Sequence, residues 1–179
     1  MPRTADPTRK ADLLAALIEE CSENGIGNRS LRDLAAAVGT SHRMLIHHFG
    51  SRDEVLLAIV DAMEEQQRQR LHTTDDFLGF FKQLSAPKMR PFERLFFECY
   101  SRGAQGEEPF ARMHPLSIDR WVDGSSETRL GLAVTRGLLL DLVATNDRKA
   151  VTEAAELYAV AMQRRSVRDK AVRSMGLAK

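Results

Sequence analysis

Apolar positions recur at helical spacing through almost the whole chain. Leu13, Leu14, Leu17, Ile18 and Cys21 form one stripe, Leu31, Leu34, Ala35 and Val38 a second, and Val55, Leu56, Ile59, Val60 and Met63 a third. No β-branched run alternates with polar residues, and there is no internal repeat or low-complexity segment, so the pattern predicts an all-α protein. The boundaries of its first elements are marked by side chains. Asp6-Pro7 is an N-cap acceptor followed by a proline at the first helical position, and Gly25 ends the helix they start.

Three further helix starts follow within 25 residues. Ser30 with Asp33 has the spacing of a capping box, and Gly39 stops the helix it opens. Thr40 or Ser41 caps the next, whose Leu45 and Phe49 point inward at i and i+4. After Gly50, Ser51 with Glu54 opens a helix reaching about Leu71. Gly79, Ser85-Ala86-Pro87 and Pro91 break the pattern beyond it, so a second region is expected to start near Phe77 and to resume helically at Pro91. Two closing helices carry Leu130, Val134, Gly137, Leu138, Asp141 and Leu142, then, after Asn146-Asp147, Val151, Ala154, Ala155, Tyr158, Ala161 and Met162.

The 179 residues suffice for a real core, and the net charge of +1 hides an uneven distribution. Residues 1–53 hold seven basic and seven acidic groups, residues 54–163 hold 13 and 17, and residues 164–179 hold six and one. Total charge therefore gives no argument for nucleic acid, and the basic tail reads first as a solvated helix end. The longest apolar run, LGLAVTRGLLLDLVA, is interrupted by Arg136 and Asp141, so neither a membrane span nor a signal peptide is expected. Two distant cysteines, Cys21 and Cys99, suit a reducing cytoplasm as small buried apolar groups.

Two short helices joined by a glycine-containing turn, the second exposing His42, Arg43, Ile46 and His47, make a helix-turn-helix. At this point the chain resembles the TetR/AcrR-type bacterial transcriptional regulators. The resemblance rests on LLAALIEECSENGIGNRSLRDLAAAVGTSHRMLIHHFGSRDEVLLAIV, residues 13–60: the opening helix, the step from Gly25 to Ser30, the SLRDLAAAVGTS helix and turn, the His48-Phe49 pair and the SRDEVL start. It implies a three-helix DNA-binding head over residues 1–53, then a helical effector-binding and dimerisation domain over 54–179, with residues 51–71 as the connecting helix.

By the same resemblance, Lys10, His47, His48 and Arg52 hold phosphates, with Thr40 and Ser41 adding hydroxyl or amide contacts. Where members usually carry a glycine, a small hydroxyl residue and a tyrosine, this chain has Arg43, Met44 and Ile46. Arg43 can fork onto a guanine and Ile46 can pack on a thymine methyl, the major-groove contacts open to those side chains.

Nine of the 11 aromatic residues lie between Phe77 and Trp121. Phe81, Phe96, Phe97, Tyr100, Phe110, Met113, His114 and Trp121 are expected to line a pocket for a small hydrophobic or aromatic effector, with His114 or Tyr100 as polar anchor. Ordinary core packing is the open alternative. In family members the two closing helices pair with their copies across a twofold axis. The resemblance thus implies a homodimer through Val134, Leu138, Asp141, Leu142, Ala154, Tyr158, Ala161 and Met162, against the alternative that both stripes are intramolecular core.

These readings converge on a sequence-specific regulator of double-stranded DNA, a repressor on the family pattern, reading a near-palindrome and released by its effector. A helical protein-interaction adaptor is the competing class. No cofactor, metal site or enzymatic activity is expected: His42, His47 and His48 include no i, i+4 pair, no HExxH or CxxC occurs, and no P-loop, GxGxxG or nucleophile elbow is present.

Overall fold

The computed structural model describes residues 6–74 and 76–174, except the side chains of residues 114, 116 and 168–174. Among them the chain forms nine α-helices and no strand: α1 (Pro7–Asn24), α2 (Leu31–Ala37), α3 (His42–Phe49), α4 (Arg52–Leu71), α5 (Phe77–Leu84), α6 (Arg90–Ala104), α7 (Met113–Trp121), α8 (Ser126–Thr145) and α9 (Arg148–Ser174). Short 3-10 turns at Pro87–Met89 and Phe110–Arg112 precede α6 and α7.

The capping chemistry read from the sequence sets these boundaries. Asp6 accepts the Thr8 amide at 3.0 Å and Pro7 opens α1. Ser30 and Asp33 exchange both bonds of a capping box, at 3.2 and 2.8 Å, whereas Ser51 makes only its own half, accepting the Glu54 amide at 3.2 Å. Gly79 does not break the chain as expected. It sits in the first turn of α5, where its amide is bonded by the Asp76 side chain at 2.6 Å, a place where glycine costs little. Asn146, in the left-handed conformation, ends α8, and Asp147 accepts the Ala150 amide at the start of α9.

Two apolar clusters hold the helices together. The first joins Leu17, Leu34, Leu45 and Leu56 of α1–α4 to Leu95 and Cys99 of α6. It runs across residue 53, so the head is not separately cored, and α6 is as much part of its floor as α4. The second joins Phe80, Phe81 and Leu84 of α5 to Leu139 and Leu142 of α8 and Val151 and Ala155 of α9. Phe97 packs against both. Arg90 donates to the Asn146 side chain at 2.6 Å and Arg148 to the Ser85 carbonyl at 2.6 Å, which ties the α8–α9 turn to the α5–α6 connection.

Candidate nucleic-acid interface and apolar cavity

The helix-turn-helix is built around a tight turn. Gly39 takes φ +66°, a conformation that disfavours any side chain, and the Thr40 amide closes onto the Ala35 carbonyl at 2.9 Å. Ser41 then accepts the Met44 amide at 3.1 Å and starts α3. Ala35 is fully covered, which lets the two helices approach closely, and Leu34, Leu45 and Phe49 anchor them.

That packing leaves one face of α3 outward. Arg43, Ile46 and His47 are exposed, Ile46 to 43%, with Ser41 exposed beside them and Thr40 and His42 half-buried. Met44, at 37%, shares this face, although it was not among the DNA contacts expected from the sequence. His48 departs from the expectation of a phosphate contact. Only 8% exposed, it falls with Leu45 and Phe49 on the inner face, and its ring sits edge-on to His47 at 5.1 Å. Arg52 is half-buried, its Nε donating to the Arg29 carbonyl at 2.8 Å, so it first fastens α4 to the α1–α2 turn. Lys10 is exposed, with Nζ 5.2 Å from the Phe49 ring centroid, next to the C-terminal end of α3.

A cavity of about 370 Å³ lies in the second region, between α4, α5, α6 and α8 and the end of α7. Phe77, Phe80, Phe96, Phe97, Trp121 and Leu139 supply its apolar walls; Gln67, Glu93, Thr135 and Arg136 supply polar groups. Of the residues expected to line an effector pocket, Phe96, Phe97 and Trp121 border this cavity. Phe81, Tyr100, Phe110 and Met113 do not. Phe81 is core between α5 and α8, and Phe110 and Met113 pack into the first cluster, with the Arg102 guanidinium 4.8 Å from the Phe110 ring. Tyr100 stacks on Phe96 behind the wall and accepts from Arg136 at 3.4 Å. The side chain of His114 lies outside the described residues.

Sequence reading missed the polar wall. Glu64 and Gln67 occupy the positions that continue the buried stripe Val60, Met63 of α4, and Glu93 is followed on the same side of α6 by Phe97 and Tyr100. Polar residues at buried register positions were the available signal. Glu93 is 2% exposed; Gln67 Nε2 donates to its two oxygens at 3.0 and 3.2 Å, yet burial pushes its carboxyl up to about 7. Arg136 is met by Glu64 at 3.7 Å, donates to Ser117 at 2.6 Å and lies over the Phe96 and Tyr100 rings.

The closing helices present an outer face, but not with all the expected residues. Leu142 is buried in the second cluster, and Tyr158 turns inward with its ring 4.7 Å from that of Phe77. Val134, Leu138 and Met162 are half-buried, whereas Asp141, Ala154 and Ala161 are exposed. Leu130 and Leu140 of α8 and Leu157, Val160 and Val167 of α9 stand out from the surface, Leu157 to 73%.

Residues 13–59 match the model of the "Bacterial regulatory proteins, tetR family". Over these residues the head of the chain is similar to the TetR family. Its relatives include the HTH-type transcriptional regulatory protein RaaS of Mycobacterium tuberculosis, 39% identical over 66 residues that cover 37% of this chain and 31% of that protein. The HTH-type transcriptional repressor Rv3405c of the same organism is 28% identical over 71 residues, covering 37% and 38%. The match thus spans about a third of the length of these relatives. Two solved structures share the fold through most of the chain at 20% identity. A transcriptional regulator from Rhodococcus sp. Rha1 has a TM-score of 0.68, covering 83% of this chain and 92% of its own. The multidrug binding protein EbrR complexed with imidazole has 0.62, covering 88% and 91%. Among the described residues, no helix is long and apolar enough to cross a membrane.

Proposed function

We propose that this chain is a dimeric, sequence-specific DNA-binding regulator whose hold on its operator is set by a small molecule in the cavity. The observation that carries this reading is the outward face of α3, a TetR-type helix that places Arg43, Ile46 and His47 clear of the core. Arg43 reads a guanine edge, Ile46 packs on a thymine methyl, and Lys10, Ser41 and His47 hold the phosphates on either side. The apolar face of α8 and α9, around Leu140 and Leu157, pairs with its copy in a second chain, so that two α3 helices address half-sites about 34–36 Å apart.

The link from cavity to head is α6. Glu93, Phe96 and Phe97 border the cavity, and one turn further on Glu98 and Arg102 grip the α1–α2 turn. An effector that favours one placement of α6 thereby favours one spacing of the two heads, and lowers DNA affinity by its differential affinity for the two states. Kinship with a multidrug binding protein of the same fold supports a cavity that takes small molecules.

Retention on genomic DNA fragments tests the reading. Purified protein is expected to retain a few fragments strongly and release them steeply as salt rises. Equal retention of all fragments, or none, would overturn it.

A further inference from the structure

We infer that the cavity accepts a lipophilic organic cation, with its positive group against the Glu93 carboxylate and its body between Phe77, Phe80, Phe97 and Trp121. This rests on the cavity being the effector site.

A carboxylate buried to this degree is costly unless a positive charge meets it. Gln67 gives Glu93 an oriented amide but no charge, and among the described residues no basic side chain lies within ion-pair distance of it. Arg70 acts on it as a charge without forming an ion pair, its guanidinium lying over the Phe92 ring instead. The protein's own answer is to favour the protonated acid, the direction in which burial moves this group. A cation entering the cavity restores the ionised form and gains its attraction. The aromatic rings around it contribute the face-on attraction they offer to cations, strengthened where water is excluded.

Arg136, on the α8 side, offers a positive charge to an anion, but that charge is already answered. Glu64, itself buried, stands 3.7 Å from it, and its donors go to Ser117 and Tyr100. An incoming anion would compete with a resident carboxylate, whereas an incoming cation meets one that has no ion-pair partner among the described residues. Arg120, held to Asp61 at 2.8 Å and to Glu64 at 3.4 Å, neutralises that cluster further. The volume, about 370 Å³, suits one substituted aromatic ring carrying a compact ammonium group.

Trp121 is the only tryptophan and lines the cavity, so its fluorescence reports occupancy directly. Three probes of one shape separate the chemistries: para-tert-butylbenzyl trimethylammonium, its uncharged carbon isostere para-tert-butyl neopentylbenzene, and the anion para-tert-butylphenylacetate. The ammonium probe should bind the full chain at least about 10-fold more tightly than either of the others. Glu93→Gln should cost that probe about 10-fold or more while leaving the isostere within about 2-fold, which also serves as the control for a folded cavity. Tightest binding of the carboxylate, or equal binding of the ammonium probe by wild type and Glu93→Gln, would overturn the inference. Failure of all three to alter Trp121 emission would overturn it together with the cavity reading. Release of bound DNA is scored separately: Glu93-dependent binding without release leaves the cation site standing and refutes only its role as effector site.

Discussion

The carboxylate of Glu98 caps the amide of Gly27 at 2.9 Å, and its other oxygen takes the amide of Ile26 at 3.1 Å. One acidic side chain from α6 thus satisfies two backbone donors in the turn between the first two helices. Arg102, one helical turn on, donates to the Gly27 carbonyl at 2.9 Å and pairs with Glu98 at 3.6 Å and with Glu107. The turn that joins α1 to the helix-turn-helix is thus held, at both an amide and a carbonyl, by the helix that borders the cavity.

Glu98→Ala removes charge-assisted bonds worth about 1.5–3 kcal/mol together. The expected result is a melting temperature lower by about 2–4 °C for each kcal/mol lost, read by thermal denaturation. A larger loss is expected in coupling. The variant should still bind an effector, but the effector should no longer change DNA affinity, as fluorescence anisotropy on a labelled operator would reveal.

On the DNA side, two kinds of contact should separate. Arg43→Ala is expected to cost about 1–3 kcal/mol against the preferred sequence and to relax preference at one base pair. Lys10→Ala should weaken binding alike on all sequences and reduce the salt slope by about one phosphate contact. His48→Leu, in contrast, should leave the salt slope unchanged, because His48 lies on the buried inner face of α3. Equilibrium titrations at several salt concentrations check all three.

Leu157 is the largest exposed apolar side chain of α9, and no neighbour in its own chain covers it. Leu157→Glu is therefore expected to yield a folded monomer by analytical ultracentrifugation. DNA affinity should drop by two or more orders of magnitude, because each single head then binds without its twin. A dimer that survives both Leu157→Glu and Leu140→Glu would place the interface elsewhere.

Stability should depend on pH through Glu93. Its folded-state pKa is raised to about 7 from 4.5, so between those values the folded chain holds a proton that the unfolded chain has lost. Stability from this group is full below about 4.5, falls as pH rises to about 7 and is flat above, a swing on the order of a few kcal/mol. Gln67 and Arg70 of α4 oppose the shift, and Arg136 faces the same cavity from α8. Chemical denaturation across pH 4 to 8 on wild type and Glu93→Gln should show that swing in the wild type and its absence in the variant.

The helix boundaries were legible because short-range chemistry sets them. Asp6-Pro7, Ser30 with Asp33, Ser41 and Asn146 all act through bonds to backbone atoms within a few residues. The outward face of α3 was legible for the same reason, since Leu45 and Phe49 fix its phase. His48 was misplaced because an eight-residue helix offers an inner stripe of i, i+3 and i+4, here Leu45, His48 and Phe49, and the second of these can be polar. The cavity was only half legible: aromatic density marks the region, but which rings face the space depends on how α4, α5, α6 and α8 cross. Phe81 and Phe110 turn into the two cores, while Glu93 and Gln67, polar residues on buried stripes, turn towards the cavity. The closing helices were read with their faces partly rotated, so Leu142 and Tyr158 proved internal and Leu140 and Leu157 external.

Selection from a pool of random duplexes by the purified full chain, followed by sequencing of the bound fraction, tests the DNA-reading role of α3 most directly. The expected product is a near-palindrome with half-sites about one DNA turn apart, altered at a defined position when Arg43→Ala is used instead. A bound fraction with no enriched motif, or the same motif from wild type and from a chain with Arg43, Ile46 and His47 all changed to Ala, would contradict it.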